Sequence, residues 1–499
     1  MSIDTSDSYE FDTIIRGGTV ATASDVFRSD VGIRDGRVVA LGEGLRGARR
    51  EIDATGKYVL PGGIDAHCHL DQPKAEGLAA AGSVMADDFF SGSRSAIFGG
   101  TTTIVPFAVQ HRGTSVVAAV EDYHRRAAGK AYCDYSFHLI VSDPTERVLK
   151  EELPRLLTEG YTSVKVYMTY EAMRISDRQI LDVLDVTRQH GALAMIHAEN
   201  FECISWLTEK LEAEGKIAPR YHADSRPQAV EREATHRAIA LSEVAEARLL
   251  IVHVSGGEAI NEIRRGRERG VPIFAETCPQ YLFLSEEDLD QPDFHGAKCI
   301  CSPPPRDKGN QEIVWRGIED GLFDIFSSDH APYRFDEDGK LRHGRNAPFR
   351  KVANGIPGLE TRAPLLFSEG FMAGRIDLCR FVALNSANAA KLYGLYPRKG
   401  TIAIGADADI AIWDPEQRVT IRNEMLHHNV DFTPYEGRTL QGWPMTVMVR
   451  GRIVCDYTER DGVLQGQLHG EAGYGEFLAR GSSARDKKAE GQTLEAAWI

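Results

Sequence analysis

A (β/α)8 barrel of the TIM type, joined to a small β-sandwich-like domain built from both chain ends, is the fold class this sequence predicts. Three observations point there. The middle of the 499-residue chain alternates short Val-, Ile- and Phe-rich runs with helix-like segments. The two ends share a different texture, short strands broken by Gly-containing turns. Polar residues of catalytic type punctuate the central runs: His67, His69, Lys165, His197, His253 and Asp329.

The N-terminal runs DTIIRGGTVAT, DVGIRDGRVVALG and REIDATGKYVL read as strands, with the Asp-Gly pair at 35–36 suited to a tight hairpin. Residues 1–63 are assigned to the β-domain. The barrel, 64–400, draws its strands from YVLPGGIDAH, TTTIVPFA, YSFHLIVS, TSVKVYM, ALAMIHAE, RLLIVHVS, VPIFAETCP and LFDIFSSDH. Between them lie helical patterns such as SVVAAVEDYHRRAAGK, RQILDVLDVTRQHG and EREATHRAIALSEVAEAR. An open doubly wound sheet would want a Gly-rich phosphate turn after its first strand, whereas this one ends in HCHLD. KGTIAIGADADIAIWDP and WPMTVMVRGRIVCDY return to the β texture, so 401–460 completes the β-domain. Residues 461–499 are polar and Gly-rich and read as an extended tail at a subunit contact.

Bulk properties narrow the function. With 42% hydrophobic and 26% charged residues the chain is an ordinary soluble globular protein. A net charge of −15 argues against nucleic acid or an anionic membrane as partner. The acidic start MSIDTSDSYEFDT lacks the features of a secretory signal, and no apolar run is long enough to span a bilayer. Eight scattered cysteines without a CxxC suit a reduced, cytoplasmic protein. Cys299 and Cys301 form a CxC that reads as buried thiols.

In a (β/α)8 barrel the carboxyl ends of all strands open onto one face, so polar residues far apart in sequence converge there. His67 and His69, two apart, point to the same side of a strand, with Cys68 opposite. Imidazole nitrogen and carboxylate oxygen suit a divalent metal such as zinc. Two metals need a further, bridging donor. Lys165 lies between valines, where a buried ammonium is costly and the neutral amine is favoured. That amine can take up carbon dioxide to become a carbamate, an anionic ligand. His138, read as ending the third strand, is a secondary candidate, as pocket wall or structural histidine, and Glu199 in HAEN is placed to orient a ligand.

The stretches PGGIDAHCHLD, DDF, FGGTTTIVPFA, SVKVYMTY, IHAEN, HVSG, ETCPQYLFL, CSPPPR, SSDHAPY and NGIPGLETR together resemble the dihydropyrimidinase/D-hydantoinase family of the amidohydrolase superfamily. The resemblance implies His67, His69 and Asp329 on a more buried metal and His197 and His253 on a second. Carboxylated Lys165 would bridge both, opposite a hydroxide. It implies Tyr170 beside the reacting carbonyl, Ser302 and Asn354 holding the ring through backbone groups, and Asp329 moving the proton. The substrate would be a small cyclic amide, a dihydropyrimidine or 5-substituted hydantoin opened to an N-carbamoyl amino acid, and the assembly a homotetramer. The alternatives are an allantoinase-like or other cyclic-imide hydrolase and, in a different class, a non-catalytic dihydropyrimidinase-related scaffold that has lost metal ligands. Here all six ligand positions and Tyr170 are filled, which favours an enzyme. Two features depart from the family or its relatives. The run QPKAEGLAAAGSVMADDFF after the first strand is longer and Ala-rich, a candidate lid. Asp71 stands where dihydroorotases usually carry arginine, and an aspartate there is expected to repel a carboxylated ring.

Overall fold

The structure, a computed structural model, describes residues 9–72, 82–460 and 463–481. Eight parallel strands follow one another around the barrel: Gly63–Cys68, Thr101–Val109, His138–Ile140, Ser163–Tyr167, Leu193–His197, Leu249–Ile251, Ile273–Thr277 and Ile325–Phe326. Six fall inside the runs marked by the sequence, and the first two pass the end of theirs by one residue, Cys68 and Val109. The ring closes where Cys68 bridges His330 and the His69 N–H donates to the His330 carbonyl at 2.7 Å. Every residue of these strands is buried, which is why they read as near-continuous apolar runs rather than as alternation.

Helices return the chain between strands. Val116–Ala127 is capped by the Ser115 hydroxyl, and Asp177–Gln189 by a reciprocal box of Ser176 and Gln179. No helix among the described residues is long and apolar enough to cross a membrane.

The chain ends build a second sheet. Tyr58–Pro61 pairs antiparallel with Ile410–Thr420, setting Leu60 opposite Ala411. Ile15, Val59, Ile402, Ile410 and Met448 share one small core drawn from both ends. The Asp-Gly hairpin forms as read: Asp35 and Gly36 both have positive φ, 51° and 75°, and Arg34 pairs with Arg37. Lys399, 1% exposed, joins this sheet to the barrel. Its Nζ reaches Asp134 beside the second barrel strand at 2.5 Å, and Asp409 at 2.6 Å and Asp407 at 3.0 Å ahead of Ile410.

The expected extended tail is corrected in part. Val463–Leu468 is a strand paired with Arg452–Arg460. Farther on, Leu478 and Arg480 are buried. Arg480 donates to the Phe137 carbonyl at 2.5 Å and to Ser163 Oγ at 2.8 Å, at the start of the third and fourth barrel strands. A polar composition reads as solvated tail, but Arg480 satisfying buried acceptors and the main-chain pairing of 476–478 with Tyr135 anchor it. Residues 482–499 lie outside the described residues.

Candidate active site

Lys165 sits in the middle of the fourth barrel strand, 1% exposed. Its Nζ lies 2.8 Å from His67 Nε2 and 4.3 Å from the centre of the Phe107 ring. His67 Nε2 and His69 Nε2 stand 3.2 Å and 3.4 Å from the same oxygen of Asp329. The His253 ring centre is 4.4 Å from that of His197 and 5.4 Å from that of His67. All six residues marked by the sequence therefore meet in one space. His253, Asp329 and Tyr170 hold positive φ of 39°, 49° and 64°. Backbone strain of this kind costs about 1–3 kcal/mol per residue and gathers where a site dictates geometry.

Burial pushes His67 and His253 well below the usual histidine range and lowers His69 and His197 as well. The neutral imidazole is the form that offers a lone pair to a metal. Carboxylates then set which nitrogen is free. His67 Nδ1 is 2.6 Å from Glu276 Oε1, and His197 Nε2 is 2.7 Å from Glu199 Oε2. With Nδ1–H given to Glu276, the Nε2 lone pair of His67 faces Asp329. Burial would raise both Asp329 and Glu199, but His67 and His69 hold the first at about 2, and Arg226 and His197 the second at about 2. Burial also lowers Lys165, against the pull of Asp329 and Glu276, toward its neutral amine.

This donor set fits divalent cations. Lone pairs and a carboxylate aimed at one another need positive charge between them, and His67, His69 and Asp329 place ligand atoms within 4.8 Å of one another. His253 Nδ1 is buried with no hydrogen-bond partner among the described residues.

Above these groups opens a pocket walled in part by Tyr170, Ser302, Asn354, Met85, Met173 and Tyr333. Burial pushes the Tyr170 phenol up to about 12, so it remains a proton donor at neutral pH. Its oxygen lies 3.5 Å from Asn354 Nδ2.

The model of the amidohydrolase family matches residues 58–454. The D-hydantoinase of Ralstonia pickettii is 44% identical over 470 residues, spanning 94% of this chain and 99% of the relative. The solved dihydropyrimidinase of Brevibacillus agri superposes with a TM-score of 0.89 at 44% identity, covering 95% of this chain and 99% of that one. The chain belongs to the dihydropyrimidinase/D-hydantoinase family of amidohydrolases. A D-hydantoinase of Rhizobium radiobacter, 44% identical over 446 residues, spans 89% of this chain and 95% of its own. As a member, the chain is a metal-dependent cyclic amidohydrolase.

Some residues of this amidohydrolase stand differently from the reading of the sequence. His138 begins its strand rather than ending it, and bonds Ala66 O at 2.9 Å and Ser163 Oγ at 2.5 Å, a structural histidine. Asp71 pairs with Arg126 at 2.9 Å, so its charge is compensated and repulsion of a carboxylated ring cannot rest on it. Of the candidate lid, Gln72, Ser83 and Met85 line the pocket, while 73–81 fall outside the described residues. Glu276 went unmarked. Its signal was present: an acid closing the apolar seventh strand in VPIFAETCP. Arg226, 2.9 Å from Glu199, sits in a loop sequence with no such signal.

Proposed function

We propose that this amidohydrolase opens cyclic ureides, 5-substituted hydantoins and dihydropyrimidines, at one amide C–N bond to give N-carbamoyl amino acids. The observation that carries this reading is the buried Lys165 amine among four neutral imidazoles and Asp329, on the floor of a pocket walled by Tyr170, Ser302 and Asn354. The D-hydantoinase and dihydropyrimidinase relatives support the class of ring.

His67, His69 and Asp329 would hold one divalent cation, and His197 and His253 a second, with Lys165 bridging them as a carbamate. Nitrogen and oxygen donors favour zinc. Bound there, the cations would polarise the carbonyl and acidify a water enough for attack at neutral pH. The neutral Lys165 amine forms its carbamate by a new N–C bond to carbon dioxide, releasing one proton. Asp329, ionised at neutral pH, accepts the proton of the attacking water and returns it to the ring nitrogen as the C–N bond breaks. Tyr170 donates its phenolic hydrogen to the carbonyl oxygen as negative charge gathers. Ser302 and Asn354 hold the –CO–NH–CO– edge that hydantoins and dihydropyrimidines share. The eight free thiols support a cytoplasmic setting, and the family resemblance a homotetramer.

The test is metal analysis of the purified protein with a panel of dihydrouracil, hydantoin, a bulky 5-substituted hydantoin, allantoin, dihydroorotate and succinimide. About two metals per chain with opening of hydantoins or dihydrouracil is the expected result. Turnover confined to allantoin, dihydroorotate or succinimide would overturn the substrate class.

A further inference from the structure

We propose that Lys340 is a positioning residue for the substrate, its ammonium tying together the two backbone segments that carry Ser302 and Asn354. The inference rests on the reading of those two residues as the ring-holding edge. Lys340 is 1% exposed and stands behind the pocket lining rather than in it. Its Nζ donates to the Ile300 carbonyl at 3.1 Å and to the Ala353 carbonyl at 2.9 Å. Ile300 lies just before Cys301 and Ser302, and Ala353 directly precedes Asn354. The Ile300 oxygen also accepts the Gly355 N–H at 3.0 Å, so Lys340 adds a second tie at a junction the backbone already makes.

The loop that bears Lys340 reaches a third wall. The Gly339 carbonyl accepts Ser83 Oγ at 2.8 Å, and the Asp338 carbonyl accepts the Val84 N–H at 2.9 Å, beside the pocket residue Met85. Three consecutive residues thus hold three separate segments of the pocket.

The chemistry of the tie goes beyond packing. The partners of Lys340 are neutral carbonyls rather than a carboxylate, and burial pushes its ammonium down to about 7. Below that pH the donor is ionised, and hydrogen bonds from an ionised donor are roughly twice as strong as neutral ones; above it the neutral amine keeps weaker N–H bonds to the same carbonyls. The Ala353 carbonyl shares its peptide group with the Asn354 N–H. Drawing electron density toward Nζ makes that N–H a better donor, at the residue proposed to meet the ring.

The experiment uses the full-length, metal-loaded enzyme and Lys340→Met, which keeps the apolar stem. Hydrogen exchange is expected to quicken at 300–302 and 353–355 with metal content unchanged. KM for the better of hydantoin and dihydrouracil should rise about tenfold, with kcat changed less. Unchanged exchange overturns the tie. Faster exchange with unchanged KM overturns the positioning role and leaves only a structural one. Lys340→Ala with added propylammonium is the second arm: recovery of KM with amine concentration supports the inference, and no recovery opposes it. Exchange needs no substrate, so an enzyme that opens none of the rings defeats the proposed function without touching the tie.

Discussion

Lys165 and Glu276 are both fully buried ionisable groups, and each is met by a histidine. Lys165 faces the Nε2 of His67 and Glu276 the Nδ1 of the same ring, so one imidazole is held from both sides. Lys165→Ala is expected to lose both metal and turnover, and a short carboxylic acid should restore part of each by replacing the carbamate. Metal content and rate like the wild type in the alanine variant would end the carbamate reading. Glu276→Leu removes the acceptor for the His67 N–H and for the His253 main-chain N–H at 3.0 Å. Loss of such an outer partner lowers metal affinity about 10–100-fold, which competition with a chelator measures, and unaltered affinity would show that Glu276 does not set the tautomer. At this scale the sequence was legible wherever a residue was out of place locally. Lys165 between valines is such a case. Arg226 in its loop is not, because nothing near it in sequence tells that its partner is Glu199.

At the scale of elements, the strands were legible because a buried parallel strand must be apolar on both faces. Their ends were less so: His138 moved from the end of its strand to the start. Gly62 marks the join between the terminal sheet and the first barrel strand. A Cβ there would stand 2.1 Å from Thr102 Oγ1 and 2.7 Å from Thr102 Cβ, a branched side chain with little room to turn. Gly62→Ala should cost about 1–3 kcal/mol through overpacking, read as a lower urea midpoint with an unchanged slope. A midpoint equal to the wild type would mean that the two strands can part without cost.

For the whole molecule, the question is what keeps the terminal sheet on the barrel. Lys399 is enclosed by Asp134, Asp407 and Asp409, and although burial would lower it, these carboxylates raise it above the usual lysine range. Lys399→Met leaves Asp409 without a cation, while Asp134 keeps Arg450 and Asp407 keeps Arg398, and breaking a buried pair of this kind costs about 3–5 kcal/mol. Because the folded value is raised, the contribution is fully present below the unfolded lysine value of about 10.4 and fades only as pH climbs past it. Urea midpoints of the two proteins should therefore differ by a constant amount through neutral pH and converge only in strong alkali. Equal midpoints at pH 7 would remove the network from the list of what joins the two sheets. The boundaries at 63 and 400 remain our proposal for the domain division, while the strand Val463–Leu468 carries the terminal sheet past 460.

The sequence by itself determined the barrel, the terminal sheet and the six residues on the site floor. Hydrophobic periodicity is local, and a polar residue in an apolar run announces itself among its neighbours. Tertiary structure alone decided the pairing of buried charge. It gave Glu276 to a histidine 209 positions away, matched Asp71 with Arg126, and set Lys340 against Ile300 and Ala353. A buried charge must be satisfied by whatever the fold brings within about 3 Å, and separation along the chain does not enter that requirement.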